Sequence, residues 1–259
     1  MICPKCSSKL VKIEKRFVCG KNHSYDIARQ GYVNLLLNGS GHGDSKEMVI
    51  ARTEFLNHGY YACLQEALCA LVEEFQPDCL VDLGCGEGYY TSKMALHAQN
   101  CIGVDLSKDA LKIAARSDSK SQYIVASIFH LPIEENSADC ITNIFAPTPI
   151  EEVKRILKKE GIYIRVTPHI KHLYEFKQAL YKDAYMNEIE IIENDSLKLF
   201  HQFKVENTIT IDNNKDIQAL FMMTPYYWKS SKETSQKVNE MNSCTTTISF
   251  DIQVYKKVD

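Results

Sequence analysis

Val81-Asp82-Leu83-Gly84-Cys85-Gly86-Glu87-Gly88-Tyr89, followed after a helix-length gap by Val104-Asp105, decides how this chain is read. Cys79-Leu80-Val81 is an apolar run of the kind that forms a buried parallel strand. Gly84, Gly86 and Gly88, spaced G-x-G-x-G, let the backbone turn sharply and approach a ligand where a Cβ would collide. Tyr89 to His97 then reads as a helix, and Cys101 to Val104 as a second strand that delivers Asp105 at its carboxyl end. Open α/β sheets bind ligands at that end, and a carboxylate there can accept both hydroxyls of a ribose. The pattern is half of a mononucleotide-binding fold.

A dinucleotide site is the competing reading, but its fingerprint is G-x-G-x-x-G, and here the third glycine comes one residue early. Glu87 also places a carboxylate beside the start of the helix, where it would repel a pyrophosphate. The same carboxylate suits the sulfonium and amino group of S-adenosylmethionine. Glycines serving only a tight turn would leave Glu87 and Asp105 without a role.

The chain has 259 residues, 45% of them hydrophobic and 24% charged, enough for one full core and a small appendage. No apolar run reaches the ~18 residues of a membrane span, and the N-terminus carries cysteines and lysines where a signal peptide would be apolar. The expectation is a cytoplasmic protein with no membrane partner. Of the ten cysteines, Cys63, Cys69, Cys79, Cys85, Cys101, Cys140 and Cys244 lie singly in apolar patterns and are expected in the core.

The other three form Cys3-Pro-Lys-Cys6 and then Cys19, with His23 four residues on. Two ligand pairs at working spacings in so short a stretch read as a structural Cys3His zinc site, because a module this small cannot fold by burial alone. Lys9 to Val18 alternates like a hairpin between the pairs, which makes the module a zinc ribbon or knuckle. Its charge is distinctive. Lys5, Lys9, Lys12, Lys15, Arg16, Lys21 and Arg29 stand against Glu14 and Asp26, an excess of +5 in a chain whose total is −3. A basic module on an acidic body favours a polyanionic partner for the module.

Asn38-Gly39-Ser40-Gly41-His42-Gly43 reads as a flexible linker, which places a domain boundary near residue 38: 1–38 as the zinc module and 39–259 as the catalytic domain. Asp44 and Glu47 form a capping box for a helix carrying Met48, Ala51, Phe55 and Leu56, and a second helix spans about Ala62 to Phe75. Tyr60-Tyr61 between them either lies on the ligand or anchors the turn. Beyond Asp105 the expected order is helix Lys108 to Arg116, strand Gln122 to Val125, a loop with Ser127 and His130, strand Cys140 to Ile144, helix Ile150 to Leu157, a turn at Gly161 and strand Ile162 to Val166. This alternation is a doubly wound, Rossmann-like α/β class I architecture. A helix from Lys171 to Leu180 and an antiparallel pair, Leu197 to Ile211 and Thr247 to Lys256, complete it at the sheet edge.

Taken together, these motifs resemble the bacterial 23S rRNA guanine-N1 methyltransferases of the RlmA type, and the likeness spans nearly the whole chain. It rests on Cys3, Cys6, Cys19 and His23, on Gly31-Tyr32-Val33-Asn34-Leu35-Leu36, Gly43-Asp44-Ser45 with Glu47-Met48, and the Asp82 to Tyr90 loop. Ala146-Pro147, Thr167-Pro168 with His172-Leu173, and Met223-Thr224-Pro225 with Trp228 complete it. The resemblance implies S-adenosylmethionine and zinc as cofactors, and a hairpin of 23S rRNA as partner of the zinc module, with a homodimer as an open possibility. It also implies cofactor contacts from Tyr61, Gly86, Glu87 and His172, beside those expected of Asp82, Gly84, Gly88, Asp105 and Ser127. Ser127 departs from the acidic residue that many class I enzymes place near the adenine. Asn143 and Phe145-Ala146-Pro147-Thr148-Pro149 follow the fourth strand, where this fold lines its acceptor pocket, and Phe145 is placed either to stack on a guanine or to pack in the core. Two alternatives remain: a class I methyltransferase acting on a small molecule or protein, and a non-catalytic zinc protein that binds RNA. The basic module weighs against the first and the intact cofactor loop against the second.

Overall fold

The structure, a computed structural model, describes residues 1–37 and 43–259. Strands β1 (Leu10–Ile13) and β2 (Arg16–Cys19) form an antiparallel hairpin with Leu10 opposite Cys19, and β3 (Ser24–Asp26) adds to β2. Most of β1 faces solvent, while Leu10, Phe17 and Cys19 turn inward. The chain then reaches the edge of a second, larger sheet as β4 (Val33–Asn34). Five of the six expected linker residues, Asn38, Gly39, Ser40, Gly41 and His42, lie outside the described residues.

Helices α1 (Lys46–Asn57) and α2 (Ala62–Phe75) follow. The α1 cap differs from the expected box. Ser45 Oγ accepts the Met48 N–H at 3.3 Å, so the start lies one residue later than an Asp44 cap would put it, and the Asp44 carboxylate is left to meet Arg52. Helix α2 buries Leu64, Leu68, Leu71 and Val72 along one stripe.

The body then alternates: β5 (Cys79–Leu83), α3 (Thr91–Met94), β6 (Asn100–Asp105), α4 (Lys108–Ser117), β7 (Gln122–Val125), β8 (Ala138–Ile144), α5 (Ile150–Ile156) and β9 (Leu157–Pro168). Next come α6 (Tyr174–Leu180), β10 (Leu197–Ile211), α7 (Asn214–Met222), α8 (Lys232–Glu240) and β11 (Cys244–Lys257). The large sheet has the order β10-β11-β9-β8-β5-β6-β7-β4. It is parallel from β4 to β9, with β11 and β10 antiparallel at the far edge. The chain moves from β5 outward to β6 and β7 and returns to β8 on the other side of β5, so the carboxyl end of β5 is the switch point at which such sheets bind ligands.

Both faces of the sheet are covered at β5, β7 and β8, which suits their mostly apolar sequences, whereas β10 at the edge is largely exposed. Leu80, Ile164 and Val166 face the side carrying α1, α2, α6 and α7, whereas Val81, Leu83, Ile141 and Tyr163 face the other. On that second side the ribbon's Leu10, Phe17, Cys3 and Cys19 share one cluster with Val33, Leu35, Leu131 and Ile133. The Ile2 N–H also donates to the Pro132 carbonyl at 2.9 Å. The ribbon is thus packed on the body that carries the large sheet.

Two other expectations need correction. The helix before β9 ends without the Gly161 turn: Leu157 is already extended, the left-handed residue is Glu160 (φ +63°), and the β8–β9 register shifts there as a bulge. The expected antiparallel edge pair is present as β10 and β11, and its strands enclose two further helices, α7 and α8, capped by the side chains of Asn213 and Ser231. Of the seven cysteines expected in the core, Cys85, Cys101, Cys140 and Cys244 are buried, but Cys63, Cys69 and Cys79 are only partly so.

Candidate active site and metal centre

Cys3, Cys6, Cys19 and His23 converge, their donor atoms all lying within 4.8 Å of one another. Two small turns bring this about. The Ser7 N–H donates to the Cys3 carbonyl at 2.8 Å and the Asn22 N–H to the Cys19 carbonyl at 2.9 Å, with Ser7 (φ +58°) and Asn22 (φ +63°) both left-handed. Cys6 Sγ lies 3.6 Å from Cys19 Sγ, and His23 Nδ1 lies 3.4 Å from both Cys3 Sγ and Cys19 Sγ. Three sulfurs and one imidazole nitrogen at these separations fit a closed tetrahedral zinc site, with no position left for substrate. Tyr25 Oη, 3.1 Å from Cys3 Sγ, is placed to donate to that sulfur and hold it in orientation.

The second site is a cleft of about 290 Å³ at the carboxyl ends of the strands. Its floor is the loop after β5 (Gly84, Cys85, Gly86 and Glu87), its sides are Asp105 at the end of β6, Leu106 after it, and Ile128 and Phe129 after β7, and the turn Phe145 to Pro147 closes it after β8. Asp44, Arg52 and Leu56 form the wall from the α1 side. Gly86 adopts φ +55°, a conformation that side chains rarely adopt, and a Cβ there would stand 3.0 Å from Arg52 Nη2 and press on the guanidinium. Gly88, also left-handed, lies off the cleft wall, where a Cβ would meet Tyr123 Oη at 2.9 Å and Ala114 Cβ at 3.0 Å. Its part is to let loop and helix α4 pack.

Asp105 ties the two ligand-facing loops together: its Oδ2 accepts the Gly86 N–H at 2.9 Å and its Oδ1 the Ser107 N–H at 2.7 Å. Burial pushes its carboxyl above the usual carboxylate range, and the two backbone donors pull against that push. Asp82 lies deeper. Burial raises it to about 6, although Thr91 Oγ1 donates to it at 2.5 Å and Thr142 Oγ1 at 2.7 Å. It braces the end of β5 against α3 and β8 from below the glycines.

Glu87, expected to face the ligand's positive charge, has a protein partner on one side: Arg52 Nε donates to its Oε2 at 2.8 Å. Arg52 escaped the sequence reading. The signal available was one arginine on the helix preceding the sheet, and helix patterning alone gives no reason to aim it at a loop 35 positions away.

Tyr61 and His172, which the family resemblance ties to the cofactor, are 2% and 6% exposed and stand beside the cleft, off its wall. Tyr61 Oη lies 3.3 Å from His172 Nε2, and the Ser249 N–H donates to His172 Nδ1 at 3.2 Å. That backbone donor assigns the ring proton to Nε2, so both nitrogens are engaged. Burial, aided by nearby Lys177, lowers His172 to about 3. The pair packs on Phe250, and Phe250 and His172 in turn support Phe145. Phe145, 42% exposed and held at φ +56°, is at the mouth, as is Phe129, 51% exposed. Ser127 is not on the wall, since its Oγ accepts the Phe129 N–H at 3.2 Å, while its neighbours Ile128 and Phe129 are. Among the described residues no helix is long and apolar enough to cross a membrane.

Comparison with known proteins agrees with this arrangement. Residues 81–164 match the family model of a methyltransferase domain, whose cofactor is S-adenosylmethionine, and residues 1–37 match that of the RlmA N-terminal zinc ribbon. A Streptomyces fradiae protein named 23S rRNA (guanine(748)-N(1))-methyltransferase is 36% identical over 186 residues, which cover 69% of this chain and 66% of the relative, just under two thirds of its length. A Micromonospora griseorubida protein provisionally named as a 23S rRNA (guanine-N1)-methyltransferase is 33% identical over 202 residues, covering 69% of this chain and 68% of the relative. A Bacillus subtilis protein, provisionally given the same kind of name, is 28% identical over 273 positions, covering 98% of this chain and 96% of the relative.

Proposed function

We propose that this chain, which belongs to the 23S rRNA (guanine-N1)-methyltransferase family, transfers a methyl group from S-adenosylmethionine to N1 of a guanine in a hairpin of 23S ribosomal RNA. The observation that carries this reading is one chain holding both a basic ribbon with four converging zinc donors and a switch-point cleft with an intact glycine loop. A small substrate would need no cationic appendage, and a protein that only bound RNA would need no cleft. On this reading residues 1–38 serve RNA recognition, residues 39–259 serve methyl transfer, and the protein works in the cytoplasm, where ribosomal RNA is found.

Bound S-adenosylmethionine supplies an electrophilic methyl group on a sulfonium, and the chain's own task is to hold the acceptor in line with it. Asp105 offers its carboxylate to the ribose while its backbone partners keep it in place. Phe145 and Phe129 present exposed rings at the mouth, on which a base turned out of an RNA loop can stack. Guanine N1 must release its proton as the new N–C bond forms. His172 does not take it, because one nitrogen accepts from Ser249 and the other is engaged with Tyr61.

The test is to incubate purified protein and S-adenosylmethionine with 23S rRNA from cells lacking the gene, then map the product by reverse transcription. A methyl on N1 blocks base pairing, so a new stop at one hairpin guanine is expected. Methylation elsewhere on the base, or only of a small molecule or protein, would defeat the proposal.

A further inference from the structure

Arg52 does more than join α1 to the cofactor loop. Its Nε donates to Glu87 Oε2 at 2.8 Å and its Nη1 pairs with the Asp44 carboxylate. Those two bonds fix the plane of the guanidinium. They leave Nη2 without a protein acceptor among the described residues, and this nitrogen lies against the backbone of Gly86 inside the cleft. The side chain is 22% exposed, sheltered yet reachable from the cleft. Glu87 is used on one oxygen only, since no described residue donates to its Oε1.

The charge balance of the cleft gives this arrangement a purpose. Among the described residues four acids line it, Asp44, Asp82, Glu87 and Asp105, against a single base, Arg52. Such a lining attracts the sulfonium and ammonium of S-adenosylmethionine but repels its carboxylate, so the ligand's one anion needs a cation placed for it. A guanidinium with an unspent N–H edge suits a carboxylate. The adjoining Glu87 oxygen suits the ammonium on the same carbon.

We infer that Arg52 and Glu87 form a zwitterion clamp that reads the amino-acid end of S-adenosylmethionine, Arg52 taking the α-carboxylate and Glu87 the α-ammonium, with Asp44 as the positioning residue for Arg52. The inference rests on the S-adenosylmethionine reading of the cleft and adds which chemical group each side chain selects.

Calorimetry on the full zinc-loaded chain, with S-adenosylmethionine, its decarboxylated analogue and 5′-methylthioadenosine, tests it. The wild-type chain should prefer S-adenosylmethionine over the decarboxylated form by about ten- to hundredfold, the worth of a charge-assisted hydrogen bond. In Arg52→Gln that ratio should fall to one or below, because the acidic lining then favours the more cationic ligand, while affinity for 5′-methylthioadenosine, which has no amino-acid end, changes by less than about threefold. A ratio between ligands cancels any general loss of folded protein, and the wild-type ratio needs no variant at all. S-adenosylmethionine binding with a wild-type ratio near one, or a wild-type ratio that survives in Arg52→Gln, would overturn the clamp alone. Absence of S-adenosylmethionine binding to the wild-type chain would overturn the clamp together with the reading beneath it.

Discussion

The Gly86 N–H donates to Asp105 Oδ2 at 2.9 Å, so the glycine loop after β5 and the carboxylate at the end of β6 form one hydrogen-bonded unit. Asp105 therefore shapes the loop as well as facing the ligand, and its removal should be felt in both ways. Asp105→Ala should bind S-adenosylmethionine about 1–3 kcal/mol more weakly by calorimetry, the cost of leaving hydrogen-bond partners unmade. Nicotinamide cofactors should give no measurable heat with either protein. Unchanged affinity in the variant would remove Asp105 from the site.

His172 makes stability depend on pH. Burial lowers it to about 3 in the folded protein, whereas an unfolded histidine titrates near 6.5. The sign follows from the lowered value: stability due to the neutral ring is complete above about 6.5 and is lost as pH falls from there toward 3, by up to about 1.4 kcal/mol per pH unit. His172→Asn keeps an acceptor for Ser249 but cannot take up that proton. Urea unfolding at pH 7 and pH 4.5 should show a smaller acid loss in the variant than in the wild type. Parallel pH dependences would mean that His172 does not titrate on unfolding.

The metal centre predicts about one zinc per chain, held by the four donors that converge within 4.8 Å. Metal analysis of the double variant Cys6→Ser and Cys19→Ser should find the site empty. Because the ribbon shares an apolar cluster with Leu131 and Ile133 of the body, zinc loss should also lower the melting temperature of the whole chain. Full zinc occupancy in the variant would show that the ligands lie elsewhere.

RNA and cofactor affinities should separate. Lys12, Lys15 and Arg16 are exposed around the β1–β2 turn, away from the cleft wall. Neutralising all three should weaken binding of the rRNA hairpin and flatten its salt dependence, each lost phosphate contact lowering the slope by roughly one, with S-adenosylmethionine binding unchanged. An unchanged salt slope would move the RNA surface to the rim around Phe145 and Phe129.

The features readable from sequence were those written in short, local patterns. Glycines at fixed offsets force a loop, alternation over Lys9 to Val18 forces a hairpin, and two ligand pairs announce a metal, because each depends only on the geometry of neighbouring residues. The same holds for the alternating strands and helices from Cys79 to Val166, whose apolar runs mark a sheet covered on both faces.

What only the tertiary structure decided were relations between distant positions. Arg52 meets Glu87 across 35 positions, Tyr61 meets His172 across 111, and the ribbon shares its core with the body, none of which has a signature in local spacing. The cap on α1 slipped by one residue for the same kind of reason: Ser45 and Asp44 can both cap a helix, and the choice falls to Ser45 because Asp44 finds a cation in Arg52. Local chemistry determined which elements form and which ligand classes they suit. Packing determined which side chains share a wall, since only the fold brings together charges that the chain keeps far apart.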